Sequence, residues 1–309
     1  MNQSFFKMQM MIQNTCNTVA IVGASSQIGE ALLPKLLTAG YVTYCIGRKS
    51  KTGDFGITYV FDQSIGRFEP NLISVDTVIS LAPLPSIGSV LKMAKTLGAK
   101  RIIAFGSTGR FSKVGSTSII ERDFVSQQEA AENFFSMQCE ASSIAWTLLR
   151  PTMIYGANAD QNVSFVDNMV QRFGIFPMPI GASGLRQPVH VEDLAMACIL
   201  VLQNKITENK AYNLGGGQVL SFPNLVRKVF RDQGKMPILI PTPLLLYSLL
   251  IKLAQYYPPA SFVRMEMVCR MFQDLIADNK PAFDDFGYSP RAFAGVSPQQ
   301  YDDSKLNFH

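Results

Sequence analysis

The sequence predicts an α/β fold in which helices cover both faces of a doubly wound parallel sheet and a smaller, mostly helical C-terminal lobe follows. Short apolar runs alternate with helical patterns over the first half of the chain, which is typical of parallel strands joined by crossover helices. After Pro151 the alternation loosens and Gly- and Pro-rich segments separate the helical patterns. The 309 residues suffice for one large domain with an appended lobe.

Each element is predicted from its own pattern. Strands are expected at residues 18–23, 41–47, 57–62, 76–82, 101–107, 144–151 and 211–216. Helices are expected at residues 27–39, 86–98, 122–141, 162–173, 191–204 and 221–234. These elements predict an N-terminal extension (1–16), a domain built on the parallel sheet (17–160, with 190–215 returning to it) and a smaller lobe (161–189 and 216–309).

Composition excludes several classes of function. The net charge of +5 is mild and the basic residues form no run, so we expect no nucleic-acid partner. The five cysteines have no metal-ligand spacing and only two histidines exist, which argues against a zinc site or a histidine-based triad. The cysteine usage and the lack of a signal-peptide pattern predict a cytoplasmic protein with reduced thiols.

The most apolar stretch, residues 237–259, is interrupted by Pro241, Pro243 and Lys252. It is therefore too short for the ~20 apolar residues of a membrane span, and we expect no integral span. A core helix of the second lobe is the favoured interpretation, with peripheral contact to a membrane as the alternative.

The segment "VGASSQIGE" lies between the first strand and the first helix, where a phosphate can meet backbone N–H groups. Gly23 suits the tight turn and Gly29 suits close packing of the helix on the sheet. Ser26 stands where a third glycine is usual, and its hydroxyl can cap the helix or contact a phosphate. The segment predicts a Rossmann-type dinucleotide site, with a plain strand-to-helix turn as the alternative. The expected contacts here are Gly23, Ser25, Ser26, Gln27, Ile28 and Gly29.

The ends of the next strands supply further candidate contacts with the dinucleotide. Arg48 follows the second strand where a carboxylate would select NAD, so NADP is the favoured cofactor and NAD the alternative. A solvated basic loop would also explain Arg48. Asp62 ends the third strand, where it can meet the adenine amino group. The fourth strand ends at Leu81 and Ala82 and is followed by Pro83, and these three residues are further candidate contacts.

Three later segments carry a family resemblance: "WTLLRPTMIYG" (146–156), "GLRQPVHVEDLA" (184–195) and "FDDFGYSPR" (283–291). Over roughly residues 18–295 the sequence resembles the extended short-chain dehydrogenase/reductase superfamily, in its NAD-dependent epimerase/dehydratase branch. The resemblance implies that Pro151 lies in the nicotinamide pocket and that Arg186 contacts a substrate diphosphate. The alternative for Arg186 is a loop residue held by Glu192 or Asp193.

Within the second segment, His190 is expected to be structural and Asp193 to cap a helix.

The resemblance fails at the catalytic dyad. Members of the family carry Tyr-x-x-x-Lys on the helix predicted at 122–141, with an acidic residue four positions after the lysine. Glu132 fits the acidic position and has the family's spacing to Arg150, which sets Gln128 in the place of the lysine and Phe124 in that of the tyrosine. Phe124 has no proton to transfer, whereas Gln128 can still hydrogen-bond the nicotinamide ribose.

The remaining candidates for chemistry lie beside the dyad positions. Ser107 and Thr108 match the family's catalytic Ser or Thr, although neither ionises readily near neutrality. Lys113 follows in the same loop, together with Arg110, and is a candidate for substrate binding through its positive charge. Tyr155 is the nearest phenol, with packing beside the cofactor as its alternative.

Two classes of function fit these observations. The first is an atypical NAD(P)-dependent oxidoreductase or epimerase-like enzyme for a small or nucleotide-linked substrate. The second is a non-catalytic NAD(P)-binding sensor, assembly factor or scaffold. The apolar residues of the helix at 122–141 also suggest a homodimer through this helix and the one at 86–98.

Overall fold

In the computed structural model, residues 18–47, 74–156, 163–254 and 264–295 are described, together with the backbone of three short strands between residues 52 and 69. The strands of the large sheet are β1 (Thr18–Val22), β2 (Val42–Gly47), β3 (Thr52–Gly53), β4 (Gly56–Asp62), β5 (Arg67–Glu69), β6 (Thr77–Ser80), β7 (Arg101–Phe105), β8 (Ala145–Pro151) and β13 (Lys210–Leu214). The shorter strands are β9 (Ile154–Tyr155), β10 (Phe176–Pro179), β11 (Leu185–Arg186), β12 (Val189–His190), β14 (Leu220–Ser221) and β15 (Leu239–Thr242).

The six helices with predicted bounds begin and end within a few residues of those bounds, and four further helices are described. In chain order, the described helices are α1 (Gln27–Thr38), α2 (Ile87–Thr96), α3 (Gly109–Ser112), α4 (Ile119–Ala141), α5 (Val163–Phe173), α6 (Val191–Leu202), α7 (Phe222–Asp232), α8 (Leu244–Ala254), α9 (Met265–Cys269) and α10 (Lys280–Phe286).

The large sheet is doubly wound, as the sequence predicts. Its order is β13-β8-β7-β6-β1-β2-β4-β3, and β5 pairs with β4. The strands from β13 to β4 run parallel, and among the described strands of this sheet β3 and β5 are antiparallel to their neighbour. The chain winds outward in one direction from β1 and in the other from β6. The crevice at the carboxyl ends of these two strands is therefore the place where such sheets bind ligands.

Helices cover the two faces of this sheet. On one face Leu32 and Leu36 of α1 pack with Cys198 of α6, and on the other Leu91 of α2 packs with Phe135 of α4. These residues recur at helical spacing, so each helix turns one apolar stripe to the sheet.

The C-terminal elements form a second apolar cluster. Val170 of α5 and Val229 of α7 pack there with Phe176 of β10. The division of the chain into a nucleotide-binding domain and this smaller lobe stays our proposal.

Strand β13 lies late in the chain, yet it completes the edge of the large sheet beside β8.

The apolar stretch from residue 237 departs from the core helix that was expected. It forms β15 and then α8, which buries Tyr247 and Ile251 but leaves Leu245 85% and Leu249 51% exposed. Only one side of α8 is therefore core. In the part of the chain that the structure describes, no helix is long and apolar enough to cross a membrane.

The packing of Gly29 predicts a stability difference between two helical glycines. A β-carbon at Gly29 would lie 2.6 Å from the backbone carbonyl carbon of Ala24, whereas one at Gly88 would meet only the Phe134 ring, at 3.7 Å. Gly29→Ala is expected to lower the free energy of unfolding by about 1–3 kcal/mol through overpacking. Gly88→Ala should raise it by up to about 1 kcal/mol, because alanine favours helix. Urea unfolding measures both, and equal effects would contradict the close packing of α1.

Candidate functional site

The turn after β1 has the backbone that a phosphate-binding turn requires. Gly23 has a φ of +85°, a left-handed conformation that glycine adopts without strain. Ser26 is the N-cap of α1, and its Oγ accepts a hydrogen bond from the Gly29 N–H at 3.2 Å. Of the two roles predicted for the Ser26 hydroxyl, the structure shows the capping of α1. Gly29 permits the close approach of α1 to the turn, and the first N–H groups of this helix form a positive end suited to an anion.

The loop after β6 lies against this turn. The Leu81 N–H donates to the carbonyl of Val22 at 2.9 Å, and a β-carbon at Gly23 would lie 3.5 Å from Leu81. Ala82 and Pro83 continue the loop towards a 3-10 turn at Leu84–Ser86. The predicted contacts from the first and fourth predicted strands therefore sit side by side at the crevice.

Two predicted cofactor contacts cannot be placed in this way. Arg48 lies outside the described residues, and so do the side chains of Asp62 and its neighbours. For Asp62 the structure gives only the backbone, at the end of β4. Selection of NADP by Arg48 stays a prediction from the sequence.

The loop after β7 holds the two candidate hydroxyls in different ways. The Thr108 N–H and Oγ1 both donate to the carbonyl of Pro151, each at 3.1 Å. Thr108 therefore fixes the loop to the end of β8. The Ser107 Oγ accepts from the Gly109 N–H at 3.0 Å, which leaves its own O–H as a donor.

The dyad positions face this loop. A β-carbon built on Gly109 would lie 3.1 Å from the Ser107 Oγ, 3.2 Å from Cε1 of Phe124 and 3.6 Å from Cε of Lys113. The Phe124 ring is thus beside Ser107, where a catalytic tyrosine of the family would be expected. One turn along α4, Gln128 is buried, and its Oε1 has no hydrogen-bond partner among the described residues.

A buried ion cluster ties α4 to β8 just behind the loop. The Glu132 carboxylate accepts two hydrogen bonds from Arg150, from Nε at 3.0 Å and from Nη2 at 2.7 Å. Arg110 also donates to Glu132 and forms a longer pair with Glu129 at 3.5 Å. The bidentate geometry fixes the rotation of α4 as well as its distance from β8.

Lys113 brings a cation to the face of the Phe124 ring. Its Nζ lies 4.2 Å from the ring centroid and 3.8 Å from Oε1 of Glu121. Burial lowers the pKa of the Lys113 amine, and the nearby Arg270 lowers it further. An amine whose pKa is lowered exchanges protons more readily near neutral pH than an exposed lysine does.

A cavity opens between this loop and the C-terminal elements. It has a volume of about 260 Å³ and is lined by Thr108, Phe111, Ser112, Asn213, Asp274, Leu275 and Ile276. The Oδ1 of Asn213 is buried and has no hydrogen-bond partner among the described residues. Asn213 and residues 274–276 were not predicted from the sequence, because no local motif marks them.

Arg186 forms a β-bridge with Leu275, one of the residues that line this cavity, and its side chain holds backbone. Its guanidinium donates to the carbonyls of Leu185, Arg270 and Gln273, and the residue is only 4% exposed. Burial, with Arg270 nearby, lowers the pKa of Arg186 to about 10. The alternative of an ion pair with Glu192 or Asp193 is wrong. A diphosphate contact by Arg186 stays a prediction.

Glu192 and Asp193 have other partners. Glu192 pairs with Lys35 of α1, and Asp193 accepts from the N–H and Nε of Arg291. Asp193 was expected to cap α6, but it does not. The cap is His190, whose Nδ1 accepts from the Glu192 N–H at 3.2 Å, and burial lowers the pKa of this histidine.

Tyr155 packs in the second cluster rather than beside Ser107. Its ring is 2% exposed and meets His190 and Phe293 edge to face. Its hydroxyl accepts a 3.3 Å hydrogen bond from the Ala294 N–H, and burial raises the pKa of the phenol. The packing alternative describes this residue, and its expected catalytic role has no support in this geometry.

Three consecutive glycines, residues 215–217, connect β13 to the smaller lobe, and the sequence motifs did not predict their role. A β-carbon at Gly215 would collide with the side chain of Gln187, and one at Gly217 would lie 2.8 Å from the carbonyl oxygen of Arg291. Asn279 binds the N–H and carbonyl of Gly215. Three consecutive glycines after a strand were the available signal for this close packing.

Comparison with known proteins confirms the resemblance stated from the sequence. Residues 88–215 match the sequence profile of the NAD dependent epimerase/dehydratase family. The matched segment includes Ser107, both dyad positions and the buried ion cluster. The chain has no match among curated protein sequences.

Solved structures share the fold at low identity. A short-chain dehydrogenase/reductase superfamily protein from Agrobacterium tumefaciens with bound NAD has a TM-score of 0.65 at 12% identity, covering 90% of this chain and 93% of that one. UDP-glucose 4-epimerase from Thermotoga maritima with UDP-glucose has a TM-score of 0.62 at 16% identity, covering 89% and 94%. The Thermus thermophilus UDP-glucose 4-epimerase complex with NAD has 0.56 at 19%, covering 73% and 86%.

The ion cluster predicts that Glu132 is important for stability. Glu132→Gln leaves the half-buried guanidinium groups of Arg110 and Arg150 without their carboxylate, and should lower the free energy of unfolding by about 3–5 kcal/mol. Asp284→Asn is the matched control, since it removes an exposed carboxylate paired with Lys280 at 2.6 Å. Its effect should be much smaller. Denaturant unfolding compares the two, and similar losses would show that the cluster contributes no more than a surface pair.

Proposed function

We propose that the protein is an NAD(P)-binding oxidoreductase of the epimerase/dehydratase type in which Lys113 transfers the proton that Phe124 cannot. The substrate is a nucleotide-linked sugar or another small carbonyl or hydroxyl compound. One observation carries the proposal: the Lys113 amine lies 4.2 Å from the centroid of the Phe124 ring, in the loop that also holds Ser107. A proton donor is thus present at the position where the family's tyrosine is missing.

The residues at the crevice fit a dinucleotide. Gly23 and the N-terminus of α1 would hold the pyrophosphate, and the unpaired Gln128 Oε1 would accept a hydrogen bond from the nicotinamide ribose. A buried acceptor without a partner is costly, so a ligand hydroxyl at this point explains why Gln128 is tolerated there. When bound, the nicotinamide supplies hydride transfer.

The chain's own groups then handle the proton. The ammonium of Lys113 donates a proton to the substrate oxygen during reduction, and the neutral amine accepts it back during oxidation. The Ser107 O–H donates a hydrogen bond to the same oxygen and orients it. The Phe124 ring keeps the ammonium in place through its π face, since such contacts favour the charged form of an amine.

The cavity beside Thr108 supports a small substrate group. Its volume of about 260 Å³ is near the ~300 Å³ lower end of ligand pockets, which suits a monosaccharide-sized group. The unpaired Asn213 Oδ1 would accept a hydrogen bond from a hydroxyl of that group. UDP-glucose, the ligand of the Thermotoga maritima structure, is therefore the first substrate to try.

The second candidate function is a non-catalytic NAD(P)-binding sensor, assembly factor or scaffold. It is favoured by the lack of a tyrosine and a lysine at the predicted dyad positions, which Phe124 and Gln128 occupy. The two functions agree on dinucleotide binding and differ only in turnover, so a test of the chemistry separates them.

We expect Lys113 to be needed for turnover but not for folding. With NAD(P)H and a nucleotide ketosugar, or NAD and UDP-glucose, Lys113→Gln should lower kcat by about 10²–10⁴-fold. The wild-type rate of carbonyl reduction should fall as pH rises through the amine's pKa, which lies below the usual 10.5. Lys113→Arg keeps the charge but cannot release a proton in this range, so it should leave KM unchanged while losing kcat.

Lys100→Gln, a change at an exposed lysine away from the site, is the matched control and should retain full kcat. Titration with NAD and a thermal melt show that each variant still binds and folds. Turnover that survives Lys113→Gln overturns the assignment of the proton donor. Dinucleotide binding without any turnover in the wild type overturns the enzyme in favour of the binding protein.

The finer choice of cofactor follows from Arg48. We propose NADP rather than NAD, because a cation replaces the carboxylate that would bind the ribose hydroxyls of NAD. Arg48→Ala should weaken NADP binding by about 1.5–3 kcal/mol, the strength of a hydrogen bond to a charged group, and leave NAD binding unchanged. Isothermal titration with both cofactors decides, and tighter binding of NAD by the wild type would refute the choice.

We also propose that the protein forms a homodimer through α2 and α4, as the sequence predicts. Phe134 and Met137 of α4 are 46% and 67% exposed, which leaves an apolar face available to a second copy.

A further inference from the structure

The C-terminal elements expose a run of large apolar side chains that the proposed chemistry does not use. Met236 and Ile238 precede β15 and Ile240 lies within it, and all three side chains are exposed. On the helix side Leu245, Leu246 and Leu249 follow in α8. These six residues are here named the C-terminal apolar surface.

Helix α8 is apolar on both sides. Tyr247 and Ile251 lie one turn apart on its inner side, and the Tyr247 hydroxyl donates to the carbonyl of Pro177 at 3.0 Å. That hydrogen bond and the contact of Ile251 with Val268 fix which side of the helix faces inward. Leu245 and Leu249, also one turn apart, are consequently held outward. Packing among the described residues explains the inner row and gives no reason for the outer one.

Positive charge accompanies this surface. Residues 222–254 contain five lysine or arginine residues and one acidic residue, so most of the chain's net charge of +5 lies in this segment. The single carboxylate, Asp232, pairs with Lys228, and the segment offers no other to the exposed Arg227, Arg231 and Lys252. Lys252 lines a shallow surface depression together with Leu245 and Leu249.

We propose that the C-terminal apolar surface binds the protein to an anionic lipid bilayer. Exposed leucines with a cation beside them are what peripheral attachment requires: the leucines enter the acyl boundary, and Lys252, which lines the same depression, meets the headgroup phosphates. A second copy of this chain would bring the same positive segment against itself, so charge favours the lipid. The attachment holds one end of the protein at the membrane and does not involve the Ser107 loop.

Vesicle sedimentation with the full chain tests the attachment. The wild type should pellet with vesicles of phosphatidylcholine and phosphatidylglycerol and much less with phosphatidylcholine alone. Leu245→Glu with Leu249→Glu should lower the partition coefficient by at least about tenfold for each leucine. Lys252→Gln should lower it about fivefold, and only for the anionic vesicles.

The control is Leu37→Glu with Ile206→Glu, two side chains that are also more than half exposed (58% and 53%) and lie outside the C-terminal apolar surface. This variant should pellet like the wild type, and thermal melts confirm that both double variants fold. Equal sedimentation of the two double variants overturns the proposal, as does a wild type that stays in solution with both kinds of vesicle. A dimer in solution that Leu245→Glu dissociates, without vesicle binding, would also overturn it by assigning the surface to a second copy.

Discussion

The candidate site depends on one buried carboxylate. Glu132 receives two hydrogen bonds from Arg150 of β8 and one from Arg110 of the loop after β7, and so joins a helix, a strand and a loop at one point. Residues four and eight positions earlier on a helix lie on the same face. Fixing the rotation of α4 at Glu132 therefore also fixes Gln128 and Phe124 towards the Ser107 loop, whatever side chains stand there.

This constraint separates the architecture of the site from its chemistry. The ion cluster does not require a tyrosine or a lysine on the same face of the helix, so α4 keeps its position whichever side chains stand at 124 and 128. The two side chains present there differ in what they offer. Gln128 leaves an unpaired buried oxygen, which fits a ligand hydroxyl, whereas Phe124 leaves a ring face that Lys113 covers with its amine.

The sequence predicted the parts that local patterns encode. Apolar alternation predicted the parallel sheet, and the spacing of Gly23 and Gly29 predicted the tight turn and the close packing of α1. What it could not give depends on contacts between distant segments. Asp193 looked like a helix cap, but Arg291, nearly a hundred positions later, binds it instead. Lys113 was expected to contact substrate by charge alone, because nothing local indicates that it lies on Phe124.

The same reasoning explains why α8 was misjudged. A continuous apolar run predicts burial only if every face of the helix finds a partner, and the sequence does not say how many sides the fold covers. Here a two-stranded ladder and a short helix provide a partner for Tyr247 and Ile251. Among the described residues, no protein surface buries the outer leucines, although their composition is suited to burial. Pro241, Pro243 and Lys252 interrupt the apolar run and exclude a membrane-spanning helix. A helix with one exposed apolar side can instead bury its outer leucines by lying at the surface of a bilayer.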